Sequence, residues 1–138
     1  MARLHDWLSG VLRGMGTTTL ESLGVKEITT IDELDAALDA ARSGVIAWFK
    51  HSTRCPISAA AYREVAGYLA EAGGDAPPFH LVKVIESRPV SNELATRLGI
   101  THQSPQLILL RDGQPCWNAS HGGITAGAIS KALDSVTH

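Results

Sequence analysis

The chain has 138 residues, the length of one domain, and can bury most of its apolar side chains in a single core. Its 12 basic and 14 acidic residues give a net charge of −2, which creates no field that would attract nucleic acid or anionic lipid. Two cysteines are too few for a disulfide framework, the six histidines lack metal-ligand spacing, and no apolar run is long enough to span a bilayer. We therefore expect a cytoplasmic protein without a metal, a nucleic-acid partner or a membrane span.

An N-terminal helical arm is predicted over residues 1–26, because apolar residues between positions 4 and 12 recur at helical spacing and a loop-like stretch follows. Residues 27–138 are predicted to form one domain. Its patterns predict helices over residues 31–42, 56–72, 90–98 and 125–136, and strands over residues 45–49, 79–85, 106–111 and 116–120. This order, with Asp112-Gly113 as a hairpin turn, predicts an α/β fold in which a central mixed β-sheet is flanked by helices.

Cys55 lies where a predicted strand passes through a polar turn, residues 50–54, into a helix that begins at Pro56. Proline suits the first helical position, so Cys55 is predicted to be the N-cap of this helix. There the unpaired backbone N–H groups and the positive end of the helix dipole favour a thiolate. A lone cysteine is more often a small buried hydrophobe, but this arrangement favours a reactive thiol.

Polar side chains on both sides of Cys55 are candidates for assisting it. Lys50, His51 and Arg54 precede it within five positions, and those of them that point towards the sulfur would stabilise a thiolate; the sequence does not say which do. Ser58 follows three residues later and can offer its hydroxyl to the same sulfur. A serine cannot form a disulfide, so we expect a reaction that uses a single cysteine.

Two short motifs resemble those of thioredoxins. Cys55-Pro56-Ile57-Ser58 stands where thioredoxins have Cys-x-x-Cys, and Ser104-Pro105 stands where they have a cis-proline. A longer set of residues resembles the YtxJ-like monothiol bacilliredoxins from about residue 31 to the C-terminus: Phe49 to Ser58, Ser91-Asn92, Ser104-Pro105-Gln106 and Ser120-His121. The resemblance implies a thioredoxin-like fold with Cys55 as the nucleophile, supported by Arg54, Pro56, Ser58, Ser104 and a cis Pro105.

The same resemblance implies a thiol–disulfide oxidoreductase that removes bacillithiol, a low-molecular-weight thiol of some bacteria, from mixed disulfides on client proteins. No cofactor would be bound, and bacillithiol or another small thiol would be a co-substrate. Because Ser58 cannot displace the bacillithiol left on Cys55, a free thiol or a reductase partner must complete the cycle. The two carboxylates of bacillithiol make the basic residues Lys50 and His51 candidate substrate-binding groups.

The predicted hairpin separates two further candidates. Cys116 follows the Asp112-Gly113 turn, at the far end of a strand about 20 Å long at 3.4 Å per residue, so we expect a structural or incidental role for it. His121 follows the second strand, which returns towards Cys55. His121 is therefore a third candidate for substrate binding, although an exposed or capping histidine fits the same position.

Other functions fit the pattern less well. A thiol peroxidase is suggested by Ser52-x-x-Cys55, but the proline that peroxiredoxins have before this motif is missing. An arsenate reductase or phosphatase would need arginine six residues after the cysteine, where this chain has Ala61. A thioredoxin-fold binding or adaptor module without turnover stays open, and the basic residues around an intact nucleophile argue against it.

Overall fold

Strand β2, Val45–His51, is the centre of a five-stranded sheet in the computed structural model, which describes residues 18–137. The helical segment predicted over residues 4–12 lies outside the described residues. The other strands are β1 Lys26–Glu27, β3 Phe79–Lys83, β4 Gln106–Arg111 and β5 Gln114–Ser120, in the order β1-β3-β2-β4-β5 across the sheet. Strands β1 and β2 run parallel to β3, whereas β4 is antiparallel to β2 and to β5, so the sheet is mixed, as predicted.

Helices cover the sheet on both faces. Within the described residues they are α1 Ile31–Ala40, α2 Pro56–Ala72, α3 Arg88–Leu98 and α4 Ala126–Thr137, with 3-10 turns at Glu21–Leu23, Gly73–Asp75 and His121–Gly123. Every helix and strand predicted for the domain is present, and the predicted ends differ from the observed ones by two residues or fewer. One difference matters for function: Lys50 and His51, predicted to belong to a polar turn, are the last two residues of β2.

Alternation along β2 divides the interior into two apolar clusters, because successive strand residues point to opposite faces of the sheet. Ala47 and Phe49 belong to the cluster formed with α2 and α4. Ile46 and Trp48 belong to the cluster formed with α1 and α3. The hairpin between β4 and β5 has the predicted turn, in which Asp112-Gly113 has positive φ angles of 52° and 83°.

The segment before β1 is part of the domain. Leu20 is fully buried in the cluster with α2, and Val25 is buried beside it. The backbone N–H of Leu20 also donates a 2.8 Å hydrogen bond to the Tyr62 hydroxyl of α2. The division predicted between residues 26 and 27 therefore falls within strand β1, and the domain already includes Leu20. None of the helices in residues 18–137 is both long and apolar enough to cross a membrane.

Replacement of Leu20 tests this assignment. Leu20→Ala is expected to lower the free energy of unfolding by about 2–4 kcal/mol, because it leaves a cavity in the core. Leu23→Ala, at a partly buried neighbour in the same segment, is expected to cost less. Urea unfolding of both variants measures the difference. A change at Leu20 below about 0.5 kcal/mol, the size of an ordinary surface substitution, would show that the segment does not belong to the core.

Candidate active site

Cys55 lies where the chain leaves β2 and enters α2. It is the N-cap of α2, with extended backbone angles of φ −105° and ψ 123°, and Pro56 is the first helical residue. Its carbonyl accepts the N–H of Ala59 at 2.9 Å, and its own N–H donates to the Ser52 carbonyl at 3.3 Å. The half-buried thiol makes no capping hydrogen bond, so the sulfur is left free for chemistry. The predicted N-cap position is confirmed.

The loop before β4 reaches the same end of the sheet. The peptide bond between Ser104 and Pro105 is cis, as the resemblance implied. Gln106 follows at once and pairs with Lys50, one residue before the end of β2. The Pro105 carbonyl accepts the N–H of His121 at 3.1 Å, which ties the chain after β5 to this loop.

His121 lies beside the first turn of α2. It is exposed, with a φ of 53°, and lines a cavity of about 420 Å³ together with Pro56 and Ile57. The remaining residues of this cavity are Ala60, Ala61, Arg63, Glu64, Gly122, Ile124 and Thr125. The structure therefore brings His121 close to the cysteine-bearing turn, where the hairpin placed it. Its part in substrate binding stays a prediction.

The Ser58 hydroxyl is bonded to the end of β2. It is fully buried on the inner face of α2, in line with Ala61 and Val65. Its hydroxyl oxygen accepts the backbone N–H of Ser52 at 2.9 Å and lies 2.7 Å from Nδ1 of His51. The structure shows no hydrogen bond between this hydroxyl and the Cys55 sulfur, because the hydroxyl is engaged at the end of β2.

His51 is a buried, neutral partner of Ser58. Its side chain is 7% exposed, and its ring lies 4.9 Å from that of Tyr62 and 5.6 Å from that of Phe49. Burial, with a smaller effect of Lys83, lowers the pKa of His51 below its usual value, so the imidazole is uncharged at neutral pH. Nδ1 and the Ser58 hydroxyl share one hydrogen bond, and which of them donates is set by the imidazole nitrogen that carries the proton. The prediction that His51 is a cation beside the thiolate or the substrate is therefore corrected.

Lys50 points to the opposite face of the sheet from His51. Its side chain is fully buried, and Nζ donates a 3.3 Å hydrogen bond to the Ser91 carbonyl in the first turn of α3. Burial lowers the pKa of this lysine to about 8. The predicted place of Lys50 in an exposed turn beside the thiol is wrong, because β2 continues through it and strand alternation sends its side chain inward.

The turn between β2 and α2 is hydrogen-bonded to Glu86, a residue that the sequence around Cys55 did not identify. Thr53 donates a 2.8 Å hydrogen bond to Oε2 of Glu86, in the loop after β3. This bond, with the nearby charges of Lys83 and Arg54, lowers the pKa of Glu86. Arg54 is exposed and remains a candidate support for the site, but it has an acidic neighbour from a distant part of the chain.

Cys116 lies apart from this site. It stands in β5 opposite the bulge between Leu109 and Leu110, three to four residues or about 10–14 Å from the Gln106 end of β4. Its Sγ donates a 3.4 Å hydrogen bond to the Leu109 carbonyl, and burial raises its pKa. This placement agrees with a structural or incidental role. Residues 18–137 also bring no three His, Cys, Asp or Glu side chains together as metal ligands.

Burial of Lys50 without a counter-charge predicts a gain in stability on its removal. Lys50→Met is expected to raise the free energy of unfolding at pH 7 by about 1–3 kcal/mol. The unfolded chain keeps this proton up to about pH 10.5, whereas the folded chain releases it near pH 8. The wild-type protein therefore gains stability with rising pH in that window, and the advantage of the variant shrinks.

Urea unfolding at several pH values measures this difference. Lys83→Met is the control, because Lys83 is partly exposed and lies 3.4 Å from Glu27 in a salt bridge of small expected value. A Lys50→Met protein less stable than wild type at pH 7 would contradict the expectation.

Loss of the Ser58 hydroxyl is expected to weaken the fold more than the chemistry. Ser58→Ala leaves the Ser52 N–H and His51 Nδ1 without a buried partner, which costs about 1–3 kcal/mol of unfolding free energy. The first exchange step at Cys55 should persist. Ser130→Ala, at an exposed serine of α4, should change stability by less than about 0.5 kcal/mol. Complete loss of thiol reactivity in a folded Ser58→Ala protein would show that the hydroxyl takes part in the reaction.

The fold is that of thioredoxins, as predicted. A solved protein with a thioredoxin fold, proposed to be an oxidoreductase, is 27% identical over 79% of this chain and 93% of its own, with a TM-score of 0.69. Thioredoxin NaTrxh from Nicotiana alata is 12% identical over 80% of this chain and 90% of its own, with a TM-score of 0.64. Mitochondrial thioredoxin 3 from Saccharomyces cerevisiae is 14% identical over 81% and 95%, with a TM-score of 0.62. The two thioredoxins show the shared fold alone.

The family comparison covers the sheet and the site together. The family model described as monothiol bacilliredoxin BrxC matches residues 26–129, which include the whole sheet, Cys55, Ser58 and the cis-proline loop. This chain therefore belongs to the monothiol bacilliredoxin BrxC family of thioredoxin-fold thiol oxidoreductases.

Proposed function

We propose that the protein removes bacillithiol from mixed disulfides on client proteins, with Cys55 as the nucleophile. The observation that carries the proposal is the pairing of a free thiol at a helix N-cap with a serine at position 58 whose hydroxyl is engaged elsewhere. A helix N-terminus favours the thiolate, which is the attacking species in disulfide exchange. No second thiol is available at the site to resolve the product.

The exchange has two steps. The Cys55 thiolate attacks the bacillithiol sulfur of the mixed disulfide, a bond forms between these two sulfurs, and the client cysteine leaves as a thiolate. A free thiol or a reductase partner then attacks the bacillithiol sulfur, and Cys55 leaves as the thiolate. The sulfur of the reductant is then bonded to the sulfur of bacillithiol, and Cys55 is again a thiolate. This cycle needs a supply of reduced thiol, which fits the cytoplasm.

Client proteins would dock at the end of the sheet that carries Cys55. Two large apolar side chains are exposed among the described residues, Ile57 and Ile85, and both lie at this end. Ser104 precedes the cis-proline in the loop beside β2, and we propose that its backbone pairs with an extended client segment as an added strand would. Arg54, exposed in the same turn, would face the docked protein.

A client protein carrying one bacillithiol tests the proposal. Cys55→Ser is expected to abolish removal of the thiol, because a serine hydroxyl at neutral pH cannot replace a thiolate without a dedicated base. Cys116→Ser, the matched control for loss of a thiol, is expected to keep nearly full activity. Release of free client, followed by intact mass, measures both.

The wild-type protein should accumulate bacillithiol on Cys55 when no reductant is present and turn over when a thiol is added. Rapid multiple turnover without added thiol would contradict the single-cysteine mechanism. Consumption of peroxide at a faster rate than removal of bacillithiol would favour a peroxidase instead.

A further inference from the structure

The buried polar side chains of the described residues gather at one end of the sheet. They are Lys50, His51, Ser58, Ser87, Ser91 and Gln106. Each lies at the end of β2, at the start of β4 or at the N-terminus of α2 or α3, so all are at the end that carries Cys55. The rest of the interior is apolar, which makes this end the polar part of the core.

The sheet divides these polar groups into two sets, which differ in how many of their donors and acceptors are hydrogen-bonded. On the α2 face, His51 and Ser58 satisfy each other and hold the turn before Cys55. On the α3 face, Lys50 makes one hydrogen bond of 3.3 Å although its ammonium carries three N–H groups. The hydroxyl of Ser91, beside it in α3, and that of Ser104 are buried without a partner among residues 18–137. The α3 face therefore carries unused polar groups.

The charges near Lys50 are positive. Lys50 makes no salt bridge within residues 18–137, and burial is the cause of its lowered pKa. Arg88, at the start of α3, is an exposed cation of the same region. Burial, then the charges of Lys50 and Arg88, lower the pKa of His102 in the loop before the cis-proline, so the positive charge of both groups reaches this loop. A buried cation without a counter-ion is costly in a folded protein.

The position of Lys50 relates this charge to the reaction. Lys50 pairs with Gln106, the residue that follows cis Pro105, so it lies in the strand next to the segment against which a substrate would be held. Charges in the interior are screened less by salt and water than charges on the surface. A substrate that crosses this loop would experience the positive potential without touching the ammonium.

We propose that Lys50, with Arg88 at the surface, is a specificity-determining group that selects disulfides whose small thiol carries carboxylates. The inference rests on the proposed function, because it names the part of the mixed disulfide that the same site recognises. Lys50 acts on the substrate through its charge and does not take part in bond making. On this proposal, the buried ammonium lowers the stability of the fold but is kept because it helps to recognise an anion.

Two disulfide probes separate recognition of an anion from reactivity of the thiol. Dithiobis(nitrobenzoate) carries carboxylates, whereas dithiodipyridine is uncharged at neutral pH. Both are used in a Cys116→Ser protein, so that Cys55 is the one remaining thiol of the chain. Lys50→Met is expected to slow the anionic probe by about tenfold, the effect of one charge pair about 10 Å apart in a partly screened site. The rate with the neutral probe should change by less than about twofold.

Matched variants keep the test independent of folding. Lys83→Met removes a cation at the same end of the sheet that is already paired with Glu27, and it should leave the ratio of the two rates unchanged. Arg88→Gln changes an exposed side chain alone and should lower the same ratio even if Lys50→Met fails to fold. Lys50→Arg, which keeps the charge, should keep the preference for the anionic probe.

An equal fall in both rates for Lys50→Met, or an unchanged ratio in Arg88→Gln, would overturn the proposal. The test is separate from that of the proposed function, because neither probe contains bacillithiol or a client. A normal preference for anionic disulfides in a protein that cannot remove bacillithiol would contradict the proposed function alone.

Discussion

The reactive end of the molecule depends on the pairing of β2 along both of its edges. Strands β3 and β4 hold β2 on either side, and helices cover both of its faces, so its last two residues are buried as deeply as its apolar middle. Alternation then sends Lys50 and His51 to opposite faces. The chain leaves the sheet through a short turn that delivers Cys55 to the start of α2. The surroundings of the thiol therefore include buried side chains at the end of β2 as well as exposed side chains of the turn.

Much of this architecture follows from local patterns. Three local patterns each predict one structure, and all three structures are present. They are the strand at residues 45–49, the helix that begins at Pro56 and the hairpin turn at Asp112-Gly113. Lys50 and His51 were misplaced because polarity alone predicts a turn. A buried polar strand end depends on partners, such as Ser58 and Ser91, whose approach is fixed by tertiary packing.

The same reason explains what sequence reasoning missed at the site. Ser58 lies three residues after Cys55, and spacing alone leaves its hydroxyl free to meet the sulfur or the sheet. The position of the inner face of α2 decides between them, and that face is set by packing on the core. Glu86 was missed for a simpler reason, since it comes from a loop more than thirty residues away along the chain. Residues brought together by the sheet carry no signal in the local sequence around Cys55.

The contact between Leu20 and Tyr62 has a consequence for relatives of this protein. The family match begins at residue 26, yet the N–H of Leu20 is bonded to the Tyr62 hydroxyl, and the Tyr62 ring packs on His51. His51 in turn is bonded to Ser58, which holds the backbone ahead of Cys55. A short upstream segment is thus linked to the turn before Cys55 by a continuous series of contacts through Tyr62, His51 and Ser58. A protein that shared every residue of the matched domain but lacked the upstream segment would lose this hydrogen bond to Tyr62.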